Sequence, residues 1–337
     1  MWYHFPAGFR GSVATKGELT MIERGKLNVL TSNWLLLLTL GTYLLGGSIF
    51  ASFVSSYALK ILIIQLFVAL PTVVWIILSR KGGQGNILTE ELRIRKISAS
   101  TVILVIVTMI FLSPLLTFVN LFSQMITNYV AGEEIVGQIS NQPFWVAMLV
   151  IALLPAICEE LVYRGMLYGG YRRRSIWMGA LMSGLIFGLM HGNLNQMMYA
   201  LLMGFVFALI DEITESTVSS MIMHFLVNGT SVALVYLMNY VKSSGGELAK
   251  MFAESEAQAE NLGWPDLLPY GILGLIGGYV AYRLMCVLAI RCGTAEKLKA
   301  ELREKGKLRA LADLVTAPLV LALVILVTLV VLTEIYM

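Results

Sequence analysis

Long apolar runs separated by short polar loops make up most of this chain. Seven of the runs hold the roughly 20 residues that an α-helix needs to cross a bilayer, and the fifth and sixth runs are shorter. This pattern predicts an all-α polytopic membrane protein, a bundle of about eight to nine transmembrane helices. The runs are residues 34–54, 59–78, 99–122, 144–167, 176–191, 195–210, 217–240, 267–290 and 315–335.

The composition agrees with this pattern. Hydrophobic residues make up 58% of the chain and charged residues 13%, whereas soluble domains carry about 25% charged residues. The net charge of +3 does not indicate a nucleic-acid partner, and the lipid bilayer is the expected surrounding. Because no internal repeat or second soluble domain is evident, we divide the chain into a lead-in, residues 1–33, and one membrane domain, residues 34–337.

The basic residues predict the orientation of the chain. With alternate crossings, the loops that carry most Lys and Arg fall on one side, which is the cytoplasmic side by the positive-inside rule. We therefore expect a multi-pass protein of the cell membrane with a cytoplasmic amino terminus and an outer carboxyl terminus. The polar segment 242–266 is then an outer loop to which the sequence assigns no role. The basic loops are residues 1–33, 80–96, 172–174 and 291–309.

Two adjacent carboxylates, Glu159 and Glu160, lie inside the fourth apolar run. Carboxylates at membrane depth are costly, and they mark functional sites by default. Arg164 follows Glu160 by four residues, so the two can form an ion pair along one helix face. Glu159 lies about 100° around the helix from Glu160 and can face a different neighbour. A buried structural brace explains the Glu160–Arg164 pair as readily as a functional site does.

Two of the three histidines, His191 and His224, lie in or at the edge of apolar runs. Phe187 precedes His191 by four residues and Asn228 follows His224 by four, so each pair shares a helix face. A single polar side chain in a membrane helix often bridges two helices. The concentration of polar groups in three segments, however, indicates a polar chamber inside the bundle.

The chemistry of these groups points to the hydrolysis of a carbonyl compound. Glu and His together can activate water, either as a general base or through a bound metal. Glu159, His191 and His224 are a workable zinc ligand set with one position open for water. His224 and Asn228 can instead donate hydrogen bonds to a developing oxyanion. The residues alone do not separate a zinc enzyme from a metal-free one.

Three short motifs, in this order along the chain, resemble the CAAX protease and bacteriocin-processing family. These ABI-type, or type II CAAX prenyl endopeptidase-like, proteins are intramembrane proteases. The resemblance covers about residues 144–240, which we take as the family core. The motifs are Glu159-Glu160-x-x-x-Arg164, Phe187-x-x-x-His191 and His224-x-x-x-Asn228.

The resemblance implies an intramembrane endopeptidase that acts on a peptide or protein substrate, with or without a lipid modification. Glu159 is then the candidate general base, and His191 helps to hold the water or a metal. His224 and Asn228 complete either the metal site or an oxyanion hole. Glu160 also maps onto a catalytic position of the family, and Arg164 completes the first motif.

Two other functions are compatible with the sequence. A protein of the same fold could serve bacteriocin self-immunity or maturation. A proton-coupled transporter would use the Glu and His residues as a relay. Transporters usually show internal repeats, and none is evident in this chain.

Straight helices create a geometric problem for a shared site. Counted from residues 144 and 176, Glu159 and His191 each lie about 22 Å along their helices, but from opposite faces of the membrane. A shared site therefore requires the fifth and sixth segments to be short, tilted or re-entrant. The polar corner 192–195 should then be buried, because non-helical backbone at membrane depth needs protein partners.

Overall fold

A computed structural model describes most of the chain, and its secondary structure is entirely helical within the described residues. The predicted lead-in is described only from residue 27 onward, and residues 252–262 of the predicted outer loop also lie outside the described part. The described ranges are residues 27–80, 86–127, 136–138, 140–247, 249–251 and 263–336.

Besides short helical pieces at residues 136–138, 249–251 and 264–266, the described ranges contain twelve helices. Eight of them are long and apolar enough to cross a membrane, and α6 is a shorter apolar helix of 14 residues. The all-α polytopic fold with eight to nine apolar helices is therefore confirmed. The helices are α1 Val29–Ser52, α2 Tyr57–Arg80, α3 Ile87–Glu90, α4 Ala99–Gln124, α5 Phe144–Tyr171, α6 Ile176–Leu189, α7 Leu194–Thr214, α8 Val218–Ser244, α9 Leu267–Arg291, α10 Ala295–Arg303, α11 Lys307–Leu314 and α12 Ala317–Tyr336.

Side chains at the helix starts explain several of these boundaries. Asn28, Ser98, Ser175 and Asn193 each accept a hydrogen bond from a backbone N–H in the first turn of the helix that follows. Such N-caps satisfy donors that have no partner within the helix. The α7 helix ends at Thr214, and the next residue, Glu215, has a φ of 54°, which lies in the left-handed region. These N-caps therefore fix where the four helices begin.

The sixth apolar segment is longer than the sequence predicted. We expected a short helix ending at residue 210, but α7 has 21 residues and continues through Asp211 and Glu212. Both carboxylates are buried. Glu212 accepts hydrogen bonds from Arg93, Arg172 and Lys297, so its charge is compensated and the helix need not stop there. The prediction of a short sixth segment was wrong for this reason.

The same contacts gather three basic loops at one end of the bundle, which we call the basic end. Arg93 precedes α4, Arg172 follows α5, and Lys297 belongs to α10. All three side chains bind Glu212. The predicted collection of these basic loops on one side is therefore confirmed, and its assignment to the cytoplasm stays a prediction.

Helices α5 to α8 form the centre of the bundle. Helices α1 and α2 pack against α5 on one side, and α4 packs against α7 and α8 on the other. Helix α9 lies along α4, and α12 lies against α1 and α6. The centre is therefore enclosed by helices from both ends of the sequence.

Glycines allow α6 and α7 to approach each other closely. A Cβ atom added at Gly184 would lie 2.7 Å from the Leu201 carbonyl oxygen, and one at Gly188 would lie 2.6 Å from the Met197 carbonyl oxygen. Real Cβ atoms do not approach backbone oxygens this closely, so only glycine fits at these two positions. Small residues at such interfaces are common in membrane helix packing.

We expect Gly184→Ala and Gly188→Ala to destabilise the fold by about 1–3 kcal/mol each, because the two helices must separate. Thermal unfolding of the purified protein in detergent measures the effect. Gly41→Ala is the matched control, since an added Cβ at Gly41 in α1 meets nothing within 4 Å. Equal unfolding temperatures for all three variants would contradict the close packing.

Candidate active site

The two carboxylates lie in a short α-helical stretch of α5, Leu154–Glu160, between two π-helical segments. The flanking segments are Met148–Leu153 and Leu161–Tyr168. Widened helical turns of this kind often occur at functional sites. Glu160 is fully buried, whereas the Glu159 side chain is 19% exposed. Of the two, Glu159 is therefore the carboxylate that water or a substrate can reach.

Glu160 is compensated by two neighbours. Its Oε1 lies 2.7 Å from His224 Nδ1, and its Oε2 lies 3.1 Å from Arg164 Nε. The predicted ion pair between Glu160 and Arg164 is thus present, and both side chains are completely buried. Buried charges persist when they are paired in this way. Glu160 consequently binds α8 to α5 at the level of the site.

Arg164 is enclosed by aromatic rings. Its guanidinium carbon lies 4.2 Å from the centre of the Phe187 ring and 5.4 Å from that of Phe207. Cations over aromatic faces gain electrostatic stabilisation, more so when they are desolvated. Phe207 carries no sequence signal that separates it from ordinary core residues, and we did not predict its role.

The rings of His191 and His224 both contact the ring of Phe187. Their rings lie 5.0 Å (His191) and 5.9 Å (His224) from the centre of the Phe187 ring, both edge to face. His191 Nδ1 lies 2.9 Å from the Phe187 carbonyl oxygen, so the proton of a neutral ring is on Nδ1. His224 Nδ1 is held by Glu160, and its Nε2 lies 3.9 Å from Glu159 Oε2. The Nε2 atoms are therefore the ring nitrogens that these Nδ1 contacts leave available.

The expected difference in depth between Glu159 and His191 does not arise. Helix α5 continues to Tyr171, so Glu159 lies twelve residues, about 18 Å, from the basic end. Helix α6 has 14 residues and ends about 21 Å from the same side. The His191 and His224 rings both contact Phe187, and His224 Nε2 lies 3.9 Å from Glu159 Oε2. The short fifth segment predicted from the sequence thus brings the groups together.

The polar corner 192–195 after α6 is buried in part. Asn193 and Asn195 are 5% and 2% exposed, whereas Gly192 and Leu194 are half-buried. Asn193 donates to the His191 carbonyl oxygen, and Asn195 donates to Ser123 Oγ on α4. These bonds hold the backbone that follows His191.

Asn228 lies one turn after His224 on α8. Its Nδ2 donates to the Ile151 carbonyl oxygen at 3.1 Å, within the first π-helical segment of α5. Asn228 also lines a cavity of about 270 Å³ between α4, α7 and α8. The lining is free of charged residues. Its members are Leu116, Thr117, Asn120, Gln124, Asn195, Gln196, Tyr199, Met203, Val227, Asn228 and Ser231.

Asn228 connects this cavity to the candidate residues, because it lies in the cavity wall and one turn after His224 on α8. The cavity therefore lies beside the histidine that contacts Glu160. A polar chamber that also includes Glu159 stays a prediction.

Two further residues reach the site without having been predicted. Gln65 on α2 donates from Nε2 to Glu159 Oε1 at 2.7 Å. Asp211 on α7 accepts hydrogen bonds from the backbone N–H and the hydroxyl of Ser220, at 2.9 and 2.8 Å. Ser220 lies on α8, one turn before His224. Gln65 is the only Asn or Gln in the second apolar run, and that signal could have identified it.

The zinc ligand set predicted from the sequence requires three side chains around one point. Among the described residues, no three His, Cys, Asp or Glu side chains are grouped so that they could hold a metal ion. Glu159, His191 and His224 therefore do not fit a zinc ion in this arrangement, and a metal in this protein stays a prediction.

Comparisons with known proteins agree with the motifs. Residues 141–230 match the family model of type II CAAX prenyl endopeptidase Rce1-like proteins, close to the predicted core 144–240. The chain is 26% identical over 147 residues to the candidate membrane peptidase YdiL of Bacillus subtilis (strain 168). That alignment covers 39% of this chain and 59%, less than two thirds, of YdiL. No solved structure matches the chain. The resemblance to this family of membrane peptidases is thus confirmed.

Proposed function

We propose that this relative of the type II CAAX prenyl endopeptidases is an intramembrane endopeptidase that hydrolyses a peptide bond with water activated by Glu159. The observation that carries the proposal is the position of the partly exposed Glu159 carboxylate, 3.9 Å from the Nε2 of a histidine whose Nδ1 is held by a second, buried glutamate. An accessible base beside an oriented imidazole is the arrangement that general base catalysis needs.

In the proposed reaction, Glu159 removes one proton from a water molecule while His191 Nε2 accepts a hydrogen bond from the other. The resulting hydroxide attacks the carbonyl carbon and forms a tetrahedral intermediate. The carbon–nitrogen bond then breaks, and the proton on Glu159 passes to the departing amine. The products are a carboxylic acid and an amine, and Glu159 returns to its ionised form.

His224 and Asn228 are our candidates for stabilising the oxyanion. The Asn228 amide has one N–H engaged with Ile151 and carries a second donor. A proton on His224 Nε2 makes that ring a donor, and the contact of its Nδ1 with Glu160 holds the ring in place. Donors placed before the reaction where charge develops are worth about 100- to 1,000-fold in rate. Glu160 and Arg164 then act as positioning groups rather than as reacting ones.

The cavity beside Asn228 is our candidate for binding the substrate backbone. Its amide and hydroxyl side chains offer hydrogen-bond donors and acceptors without formal charge. Peptide groups need such partners when they leave water for the membrane interior. We therefore propose a peptide or protein substrate, with or without a lipid modification, in a protein whose basic end faces the cytoplasm.

Peptide cleavage by the purified protein in lipid nanodiscs tests this function. Two quenched fluorescent peptides serve as probes, each ending in Cys-a-a-X, one farnesylated on the Cys and one unmodified. We expect cleavage of at least one peptide, and the same rate after treatment with 1,10-phenanthroline. If the protein cleaves neither peptide, the proposal is wrong.

Metal analysis of the same samples tests the zinc alternative. A stoichiometry of about one metal per chain, lost in His191→Ala and His224→Ala, would replace the metal-free scheme by a metal-assisted one. The roles in bacteriocin immunity and in proton-coupled transport stay predictions of the sequence, and no contact in the described part of the chain favours either.

A further inference from the structure

Helix α2, which lies outside the segment matched to the family, contributes one amide to the site. Gln65 is 7% exposed, and its Nε2 donates to Glu159 Oε1 at 2.7 Å. This distance is that of a hydrogen bond to an ionised acceptor, which is roughly twice as strong as a bond between neutral groups. We infer that Gln65 is a positioning residue that holds the Glu159 carboxylate in its reactive orientation. The inference rests on the proposed role of Glu159.

The oxygen of the Gln65 amide argues against a purely structural role for this side chain. Gln65 Oε1 is buried and has no hydrogen-bond partner among the described residues. Asn33 on α1 shows how an amide that links helices is bonded in this protein, because its Nδ2 donates to the Leu314 carbonyl oxygen and its Oδ1 accepts from the Tyr171 hydroxyl. An unpaired buried polar atom is rare in native proteins and often marks a functional site. The Gln65 amide therefore bonds Glu159 through its nitrogen, and its oxygen does not link it to a further side chain in the described part of the chain.

The contact also explains which oxygen of Glu159 reacts. Gln65 occupies Oε1, so Oε2, the oxygen that faces His224 Nε2 at 3.9 Å, is left to take the proton from water. A glutamate side chain has several rotatable bonds, and a carboxylate that is already oriented does not lose that freedom during the reaction. Gln65 therefore acts through Glu159, without contacting the substrate.

The test compares Gln65→Met with the unchanged protein in the nanodisc peptide assay. Methionine keeps the length of the side chain and the helix propensity but removes the donor. We expect kcat to fall about 10- to 100-fold, the loss that a hydrogen bond to a charged group accounts for, with KM unchanged. Gln65→Glu preserves the shape but places a second carboxylate against Glu159, so it should be at least as impaired.

Thr72→Val is the matched control. Thr72 lies two turns further along α2, is buried like Gln65, and has a hydroxyl without a hydrogen-bond partner among the described residues. Its replacement should leave kcat and KM unchanged. If Gln65→Met and Gln65→Glu keep the wild-type kcat, or if they raise KM alone, Gln65 does not position the base.

A double-mutant cycle separates this inference from the proposed function. In a Glu159→Gln background, Gln65→Met should cause no further loss of rate, because its effect passes through the carboxylate. A further tenfold loss in that background would show a structural role instead. If Glu159→Gln itself cleaves peptide at the wild-type rate, the proposed function fails. If Glu159→Gln is inactive but Gln65→Met is fully active, only the positioning role is wrong.

Discussion

Glu159→Gln reduces the rate of peptide cleavage by about 100- to 10,000-fold, the contribution of a positioned general base. Glutamine has nearly the same shape, but its amide does not accept the proton of the attacking water. The side chain is partly exposed, and the fully buried ion pair of the site joins Glu160 to Arg164 instead. The variant should therefore fold normally. Cleavage of the fluorescent peptide and thermal unfolding of the same samples measure the two effects.

Glu296→Gln provides the control for this prediction. Glu296 lies on α10, its side chain is 87% exposed, and its salt bridge is with Lys299. Its replacement changes the charge of the protein equally but touches no group of the site, so the rate should stay at the wild-type value. Equal rates for both variants would remove Glu159 from the mechanism, and an unfolded Glu159→Gln protein would reassign Glu159 to stability.

Arg164→Met destabilises the protein by about 3–5 kcal/mol, because the fully buried Glu160 then loses the permanently charged one of its two partners and keeps the contact with His224. The cation that covers Phe187 is lost at the same time. Thermal unfolding in detergent measures the effect, and peptide cleavage should fall as well, since Glu160 orients His224. This is the largest effect on stability that we expect from a single substitution in the site.

Two further variants identify the cause of that loss. Arg174→Met removes an exposed salt bridge with Asp313, in which the side chains are 45% and 41% exposed, and should cost less than about 1 kcal/mol. Glu160→Gln combined with Arg164→Met removes both charges, so the double variant should be more stable than Arg164→Met alone. A double variant that is less stable than Arg164→Met would show that charge compensation is not the reason.

The apolar runs determined the helices well, and the exception has a physical cause. A chain in a bilayer must satisfy its backbone hydrogen bonds internally, so the length of an apolar run translates directly into a helix. Nine predicted segments correspond to helices in the described part of the chain. The end of α7 was misplaced because Asp211 and Glu212 look like the end of a membrane segment, whereas Glu212 is compensated by side chains from three distant loops.

Contacts within one helix could also be predicted, since they follow from a spacing of four residues. The Glu160–Arg164 ion pair belongs to this group, and the contact of Phe187 with His191 follows the same spacing just past the end of α6. The three motifs likewise pointed to Arg164, His191 and His224, which contact Phe187. The sequence by itself therefore determined the fold class, the candidate residues and their pairing along each helix.

Only the tertiary structure decided how the helices come together. It showed that Glu160 contacts His224, which lies 64 residues further along the chain, and that Gln65 on α2 donates a hydrogen bond to Glu159. It also showed that Glu159 is more accessible than Glu160. Such contacts depend on which helix faces meet and on how closely they approach, as at Gly184 and Gly188. The hydrophobic effect does not select these faces in a membrane, where lipid tails are as apolar as the helix surfaces. Packing and buried hydrogen bonds select them instead, and neither leaves a periodic signal in the sequence.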